Sequence, residues 1–202
     1  MERKNRIQIV AILSMVMLLN LTAWAIYGGG RGTAADPYLI YTVADLQALG
    51  RDRGNWGYYD HYKLMADLDL NDVEIQPFGT NDARFVGIFN GNGKTISNLR
   101  MDVASGDYVG LFGCAEAEIR DLRLVEVEIN APQSTCVGAL AGWAGGRTVE
   151  RCCVEDGTVS GLNKVGALIG ENGSQISQCY TSCKVSGNRM VGGLLGWHSE
   201  HN

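Results

Sequence analysis

Four strings in the second half of the chain repeat one pattern: YVGLFG from Tyr108, CVGALAG from Cys136, KVGALIG from Lys164 and MVGGLLG from Met190. Their valines, Val109, Val137, Val165 and Val191, stand 28, 28 and 26 residues apart. A second element falls between them: IRDLRL from Ile119, VERCCV from Val149 and ISQCYT from Ile176, at spacings of 30 and 27. An upstream copy, FVGIFNGNGKTISNLRM, places Val86 and the run Ile96 to Met101 each 23 residues before its counterpart, making five units with the last one short. A unit of this size cannot bury its apolar side chains alone, whereas stacked units share a continuous core. The expected fold is therefore all-β, a right-handed parallel β-helix, its hand following from the preference of parallel crossover connections.

Composition agrees with that expectation. The 27 glycines against 3 prolines punctuate short β-prone runs, and Gly, Asn, Ser and Asp between the runs turn the chain at low steric cost. Repeat glycines Gly110, Gly138, Gly166 and Gly192 recur in the VG pairs. In-register stacking predicts two interior ladders with a rise of about 4.8 Å per coil. One holds Ile96, Ile119, Val149 and Ile176, the other Leu99, Leu122, Cys152 and Cys179. The same register sets Arg120 beside Glu150 and Asp121 beside Arg151 on the outer face.

The organisation predicted is a leader at 1–25, a cap with lead-in strands at 26–84, and repeats at 85–202. Glu2, Arg3, Lys4 and Arg6 open a net-positive start, an apolar run follows, and Ala23-Trp24-Ala25 supplies a small-x-small cleavage site. This reads as a secretory signal. The rival is an uncleaved anchor, since Ile7 to Tyr27 is long enough to span a ~30 Å hydrocarbon core. Without residues 1–25 the chain keeps 14 Lys+Arg against 21 Asp+Glu, a net charge of −7. An acidic domain of this kind lacks the basic stripe that phosphate neutralisation needs, so nucleic acid is not expected, while neutral or cationic partners fit. In TVADLQALG, Thr42 as N-cap with Asp45 three residues on predicts a short helix ended by Gly50, capping the first coil against strand pairing. At the other end, GWHSEHN follows a VGxLxG strand without its partner strand, which reads as a truncated array.

The VGxLxG strings followed by an IxxCY-like strand resemble the GLUG-motif repeats of bacterial exported proteins. GTAADPYLIYTVADLQAL, YKLMADLDL and GIFNGNGKTISNL are similar to the segments that precede those repeats, so the resemblance covers about residues 28–202. It implies a β-helical solenoid on secreted or cell-surface proteins, sometimes beside peptidase or adhesin modules, with no catalytic set attached to the repeat. Two departures stand out. Arg147-Thr148-Val149 replaces the usual Gly-x-Ile approach, and Asp121, Arg151 and Gln178 occupy a place often held by asparagine.

Individual features offer little chemistry. ADLDLNDVE gathers Asp67, Asp69, Asn71, Asp72 and Glu74, but a calcium loop starting at Asp67 would need Gly and Glu where Asp72 and Phe78 stand. Alternation with Leu64, Ala66, Leu68 and Leu70 reads as a strand with acids on its wet face. NGNGK at Asn90 to Lys94 lacks the P-loop spacing and reads as a tight turn. Glu126 and Glu128 alternate on one strand, about 7 Å apart, within the separation glycoside hydrolysis uses, but without companions. Trp143 and Trp197 follow the closing glycines Gly142 and Gly196, with Glu171 equivalent in the coil between. They are the candidate ligand-binding residues, as stacking platforms for a sugar, or else covers of the coil edge. His61, His198 and His201 match no zinc spacing, and the six cysteines contain no CxxC pair. Cys152 and Cys179 are expected as stacked core thiols. Cys153 points outward, and any disulfide would draw on Cys114, Cys136, Cys153 and Cys183 as exposed sulfurs.

No catalytic residue, metal or cofactor is expected. The function read from the sequence is a non-catalytic exported or cell-surface repeat module, a spacer or adhesin-like solenoid whose partner is a cell-envelope protein or polysaccharide. Membrane contact would come only through an uncleaved N-terminal segment. The alternatives are a polysaccharide lyase or glycoside hydrolase on a β-helix, and an accessory binding module of a surface peptidase.

Overall fold

The computed structural model describes residues 27–52 and 56–199, so the predicted leader at 1–25 lies outside the described residues. In chain order the elements are β1 (Tyr38–Ile40), α1 (Val43–Arg51), β2 (His61–Leu64), β3 (Leu68–Asp69), β4 (Ile88–Ser97), β5 (Arg100–Asp102), β6 (Asp107–Val109) and β7 (Phe112–Ala115). They continue as β8 (Glu118–Val137), β9 (Ala141–Glu150), β10 (Cys153–Gly166), β11 (Ile169–Ser177), β12 (Tyr180–Thr181), β13 (Lys184–Ser186), β14 (Arg189–Gly192) and β15 (Leu195–His198). All belong to one parallel β-solenoid of about six turns, with α1 its only helix among the described residues.

Register follows the residues that fill the interior. Tyr38, Tyr62, Phe89, Ile119, Val149 and Ile176 pair in succession through all six turns. Leu68, Ile96, Leu124 and Val154 form a second column, and Met101, Ile129, Val159 and Val185 a third. The repeated valines Val109, Val137, Val165 and Val191 make the fourth. Apolar columns at this stacking distance are what makes an isolated coil unstable and a stack of coils stable.

Two ladder members differ from expectation. Ile96 pairs with Leu124, not Ile119, and Leu99 stands level with Val127, since the next residue, Arg100, pairs with Glu128. The cause is coil perimeter: a 23-residue offset would leave the upstream coil about five residues short of its neighbours, whereas Ile96 to Leu124 is a full 28. The repeated I-x-x-L string lies at the end of β4 in one coil and at the start of β8 in the next. Leu122, Cys152 and Cys179 do stand level, because Arg123, Cys153 and Tyr180 pair. The sheet also runs without a break across residues 84 and 85, since β1 and β2, placed in the lead-in segment, are its first two rungs.

The first turns hold a cluster of aromatic rings beside the aliphatic pairs Ile40–Leu64 and Leu68–Ile96. Tyr27, Tyr38 and Tyr62 cluster at 5.0–5.7 Å, and Phe85 and Phe89 each lie within 5.5 Å of Phe112. Helix α1 closes this end. Thr42 caps it in a reciprocal box with Asp45, and Leu46 and Leu49 are fully buried. The helix continues one residue past Gly50, whose role is close approach: a Cβ there would stand 2.7 Å from the Gln76 carbonyl.

Each coil bends at residues in the left-handed region. Tyr108, Cys136, Lys164 and Met190 form one such column, with φ between 51° and 62°. Asp121, Arg151 and Gln178 form another at 49° to 56°, and Asn98, Glu126 and Asp156 a third at 51° to 58°. Left-handed backbone costs most residues free energy and, glycine apart, asparagine among the least, which explains why asparagine suits the place held by Asp121, Arg151 and Gln178.

Candidate functional site

The tryptophan stripe is built by the closing glycines. A Cβ at Gly142, Gly170 or Gly196 would overlap the backbone of Tyr108, Cys136 or Lys164 respectively, so the left-handed corner of one coil sits directly on these glycines. That packing brings Glu171 into register between Trp143 and Trp197, with Cys114 extending the column beyond Trp143. Lys164 Nζ lies 2.6 Å from Glu171 Oε2 and 4.3 Å from the Trp197 ring centroid. Burial opposes the lysine charge, yet the Glu171 carboxylate holds Lys164 above the usual lysine range. Cys136 donates to the same carboxylate at 3.1 Å, and burial followed by that bond pushes its thiol up to about 12. On the other side Arg84 lies 4.6 Å over Trp143 and bonds Glu116 at 3.1 Å.

The two candidate ligand-binding residues thus share one ladder, two coils apart, with a carboxylate between them. Each has a cation of its own chain over the ring, the arrangement that satisfies an aromatic face without a ligand. Trp143 is half-buried and Trp197 is 39% exposed.

The candidate acids do not form the alternating pair expected. Glu126 is a corner residue with φ 56°, so the alternation expected with Glu128 is broken, and Glu128 is ion-paired with Arg100 at 2.8 Å. Asp67 accepts the Thr95 N–H at 2.8 Å, and Asp69 accepts Asn98 Nδ2 at 2.7 Å and the Asn71 N–H at 3.0 Å. Both acids therefore tie one coil to the next or close a local turn. The Asn98 bond, followed by that of Asn71, holds the Asp69 carboxyl below its ordinary range. NGNGK sits at a register shift in β4, where Asn92 takes φ 55° and donates its N–H to Asn90 Oδ1. His61 lies in the second rung and His198 at the end of β15, while His201 is outside the described residues. Among the described residues no group of three or more His, Cys, Asp or Glu side chains is placed to hold a metal ion.

The cysteines contradict the expected exposure. All six are thiols, and Cys114, Cys136 and Cys153 are buried, with Cys179 and Cys183 half-buried. Cys114 continues the outer column beside Trp143 yet is buried, Cys136 is a corner packed on Gly170, and Cys153 lies beside Tyr180 and Glu155, so pointing away from the core does not expose these sulfurs. Cys152 and Cys179 touch: the Cys152 N–H donates to Cys179 Sγ at 3.4 Å. Hydrogen bonding between the two thiols raises Cys152 well above its ordinary value and lowers Cys179 to about 7.

One feature escaped the sequence reading. A groove of about 510 Å³ opens between the loop at residues 70–77 and strand β5. Ile75, Leu99 and Met101 form its buried apolar floor. Asp72, Glu74, Asp102, Glu126 and Glu128 line it against one cation, Arg100, so acids 54 residues apart in sequence meet here. The available clue was the chain of acids in ADLDLNDVE and VEVE, legible as one patch only after the coil register is known.

No family model matches this chain. A stretch of 177 residues is 31% identical to halomucin of Haloquadratum walsbyi, covering 83% of this chain and 2% of that protein. Another of 191 residues is 34% identical to a "Putative Gly-rich membrane protein" of Evansella cellulosilytica, covering 88% of this chain and 22% of that protein. The chain therefore spans only a small part of the length of these relatives. Among solved structures, a "putative immunoglobulin A1 protease" of Bacteroides ovatus shares the fold, with a TM-score of 0.61 over 87% of this chain and 66% of that one at 19% identity.

Proposed function

We propose that this chain is a GLUG-type repeat module of an exported, envelope-associated protein, acting as a non-catalytic spacer or binding solenoid. The observation that carries this reading is how the outer-face groups best suited to chemistry are used. Arg84 covers Trp143, Lys164 bonds Glu171 and covers Trp197, and Arg100 engages Glu128. Contacts of this kind commit both tryptophans, Glu171 and Glu128 to partners within the chain, so Glu128, which lines the groove together with Glu126, is held by Arg100 and not left free for acid–base work. Supporting it, both sequence relatives are far longer than this chain, and one bears the name of a membrane protein. The net acidic charge favours envelope proteins or polysaccharide over nucleic acid as partners.

The test combines location with turnover. The full chain, tagged and expressed in a bacterial host, should become susceptible to protease added outside intact cells, and the purified protein should release no reducing ends or unsaturated sugars from a panel of polysaccharides. Retention in the cytoplasm would overturn the exported reading. Sugar release abolished by Glu126→Gln or Glu128→Gln would overturn the non-catalytic one.

A further inference from the structure

The groove beside β5 combines three properties that point to one class of ligand. The first is an open strand edge. The Leu99 carbonyl and the Val103 N–H both bond β8, so by the alternation of a β-strand the N–H and C=O groups of Arg100 and Asp102 point the other way. Lower on this face of the solenoid β5, β8, β10 and β13 pair in sequence, but the preceding coil supplies a loop at 70–77 where a strand would lie. Among the described residues no main-chain group pairs with that upper edge of β5. An edge of this kind is a template for strand addition.

The second property is the apolar floor, which receives alternate side chains of an extended segment. The third is charge: five carboxylates face one guanidinium, which Glu128 already holds at 2.8 Å. A volume of about 510 Å³ lies within the range of ligand sites, roughly 300 to 1,000 Å³.

We propose that the groove binds an extended peptide segment carrying basic residues, added as a strand along β5. Its main chain bonds the outward groups of Arg100 and Asp102, its apolar side chains rest on Ile75, Leu99 and Met101, and its lysines or arginines meet the acidic rim. A compact polycation would satisfy the rim but not the strand edge, and an acidic strand would satisfy the edge but not the rim. This site stands whether the module is exported or not, because nothing in it depends on location.

Fluorescence anisotropy with a labelled hexapeptide alternating Lys and Val tests the assignment on the full chain. Saturable binding is expected, weakened at least tenfold by N-methylating the peptide backbone on its bonding edge, and at least tenfold by the paired substitution Glu74→Lys and Asp102→Asn. An alternating Glu/Val hexapeptide should not bind. Absence of saturable binding, indifference to N-methylation, or equal competition by spermine would each overturn the proposal. The N-methylation arm uses the unsubstituted protein, so it decides the matter even if the paired variant fails to fold.

Discussion

Arg151 reaches back one coil to grip Asp121 with two nitrogens, Nε 2.6 Å from Oδ1 and Nη2 3.1 Å from Oδ2. Both residues are left-handed corners of their coils, so the pair ties together two points where the chain bends. Its neighbour behaves differently. Arg120 is in register with Glu150 but directs its guanidinium to Glu118 of its own strand. The bidentate fork thus belongs to Asp121 and Arg151, and exposed pairs of this kind contribute only ~0–1 kcal/mol each.

Acid stability should report on that pair. The Arg151 bond holds the Asp121 carboxyl below its ordinary value, and the Arg123 bond does the same for Glu155. A carboxyl with a depressed folded pKa stabilises the fold above its unfolded value and loses that contribution as pH falls through the folded one. Melting temperature should therefore hold level down to about pH 5 and fall below about pH 4. Asp121→Asn should flatten that acid limb while changing the neutral melting temperature little. An acid limb identical to that of the parent would show that the fork carries none of the pH dependence.

Corner geometry makes a second expectation, concerning Gln178. At φ 54° glutamine is in a region asparagine and glycine tolerate better. Gln178→Asn should raise stability by ~0.5–1 kcal/mol, and Gln178→Val, β-branched, should lower it by ~1–2 kcal/mol. Chemical denaturation of the two variants checks the sign, and a destabilising asparagine would contradict the corner assignment.

Glycine close approach supplies a third. A Cβ at Gly138 would stand 2.5 Å from the Ala141 carbonyl oxygen and 2.7 Å from the Gly170 nitrogen, both backbone atoms that cannot swing aside. Gly138→Ala should cost ~1–3 kcal/mol, the range for overpacking. Gly93→Ala, with nothing within 4 Å but φ 69°, should cost only the ~1–2 kcal/mol of left-handed backbone. Equal melting temperatures for Gly138→Ala and the parent would refute the contact.

What the sequence made legible is whatever recurs as a string. Val109, Val137, Val165 and Val191, and the Ile119, Val149, Ile176 column, follow directly from repeated spacing. The aromatic end was hidden because Tyr38, Tyr62 and Phe89 share a column without sharing a motif. Repetition also misled: the I-x-x-L of Ile96 matched that of Ile119 in letters but lies elsewhere on the coil, where only the constancy of perimeter could have corrected it. Of the candidate site, the Trp143, Glu171, Trp197 order was readable, but the cations over the rings were not, since Arg84 arrives from 59 residues away. Burial of Cys114 and Cys136 likewise depends on side chains and loops from other coils.

The thiols provide the last expectation. Cys152 is almost wholly buried, whereas Cys179 is half-buried, accepts the Cys152 N–H at 3.4 Å and is lowered first of all by its interaction with the Cys152 thiol. Donors aimed at one sulfur stabilise its thiolate, and the thiolate is the nucleophile. Cys179, lowered to about 7, should therefore be alkylated first by iodoacetamide under native conditions, with a rate that rises through pH 7 and levels above it. Cys114, pushed by burial to about 11, and Cys136, at about 12, should stay unmodified until the chain unfolds. Cys152→Ala separates the hydrogen bond from mere exposure: it removes the thiol donor but leaves the main-chain N–H, so the inflection should move upward toward the ordinary cysteine range. Time-resolved mass spectrometry of tryptic peptides reads all of these at once. An inflection unmoved in Cys152→Ala, or Cys114 reacting as early as Cys179, would show that the stacked pair does not set the reactivity.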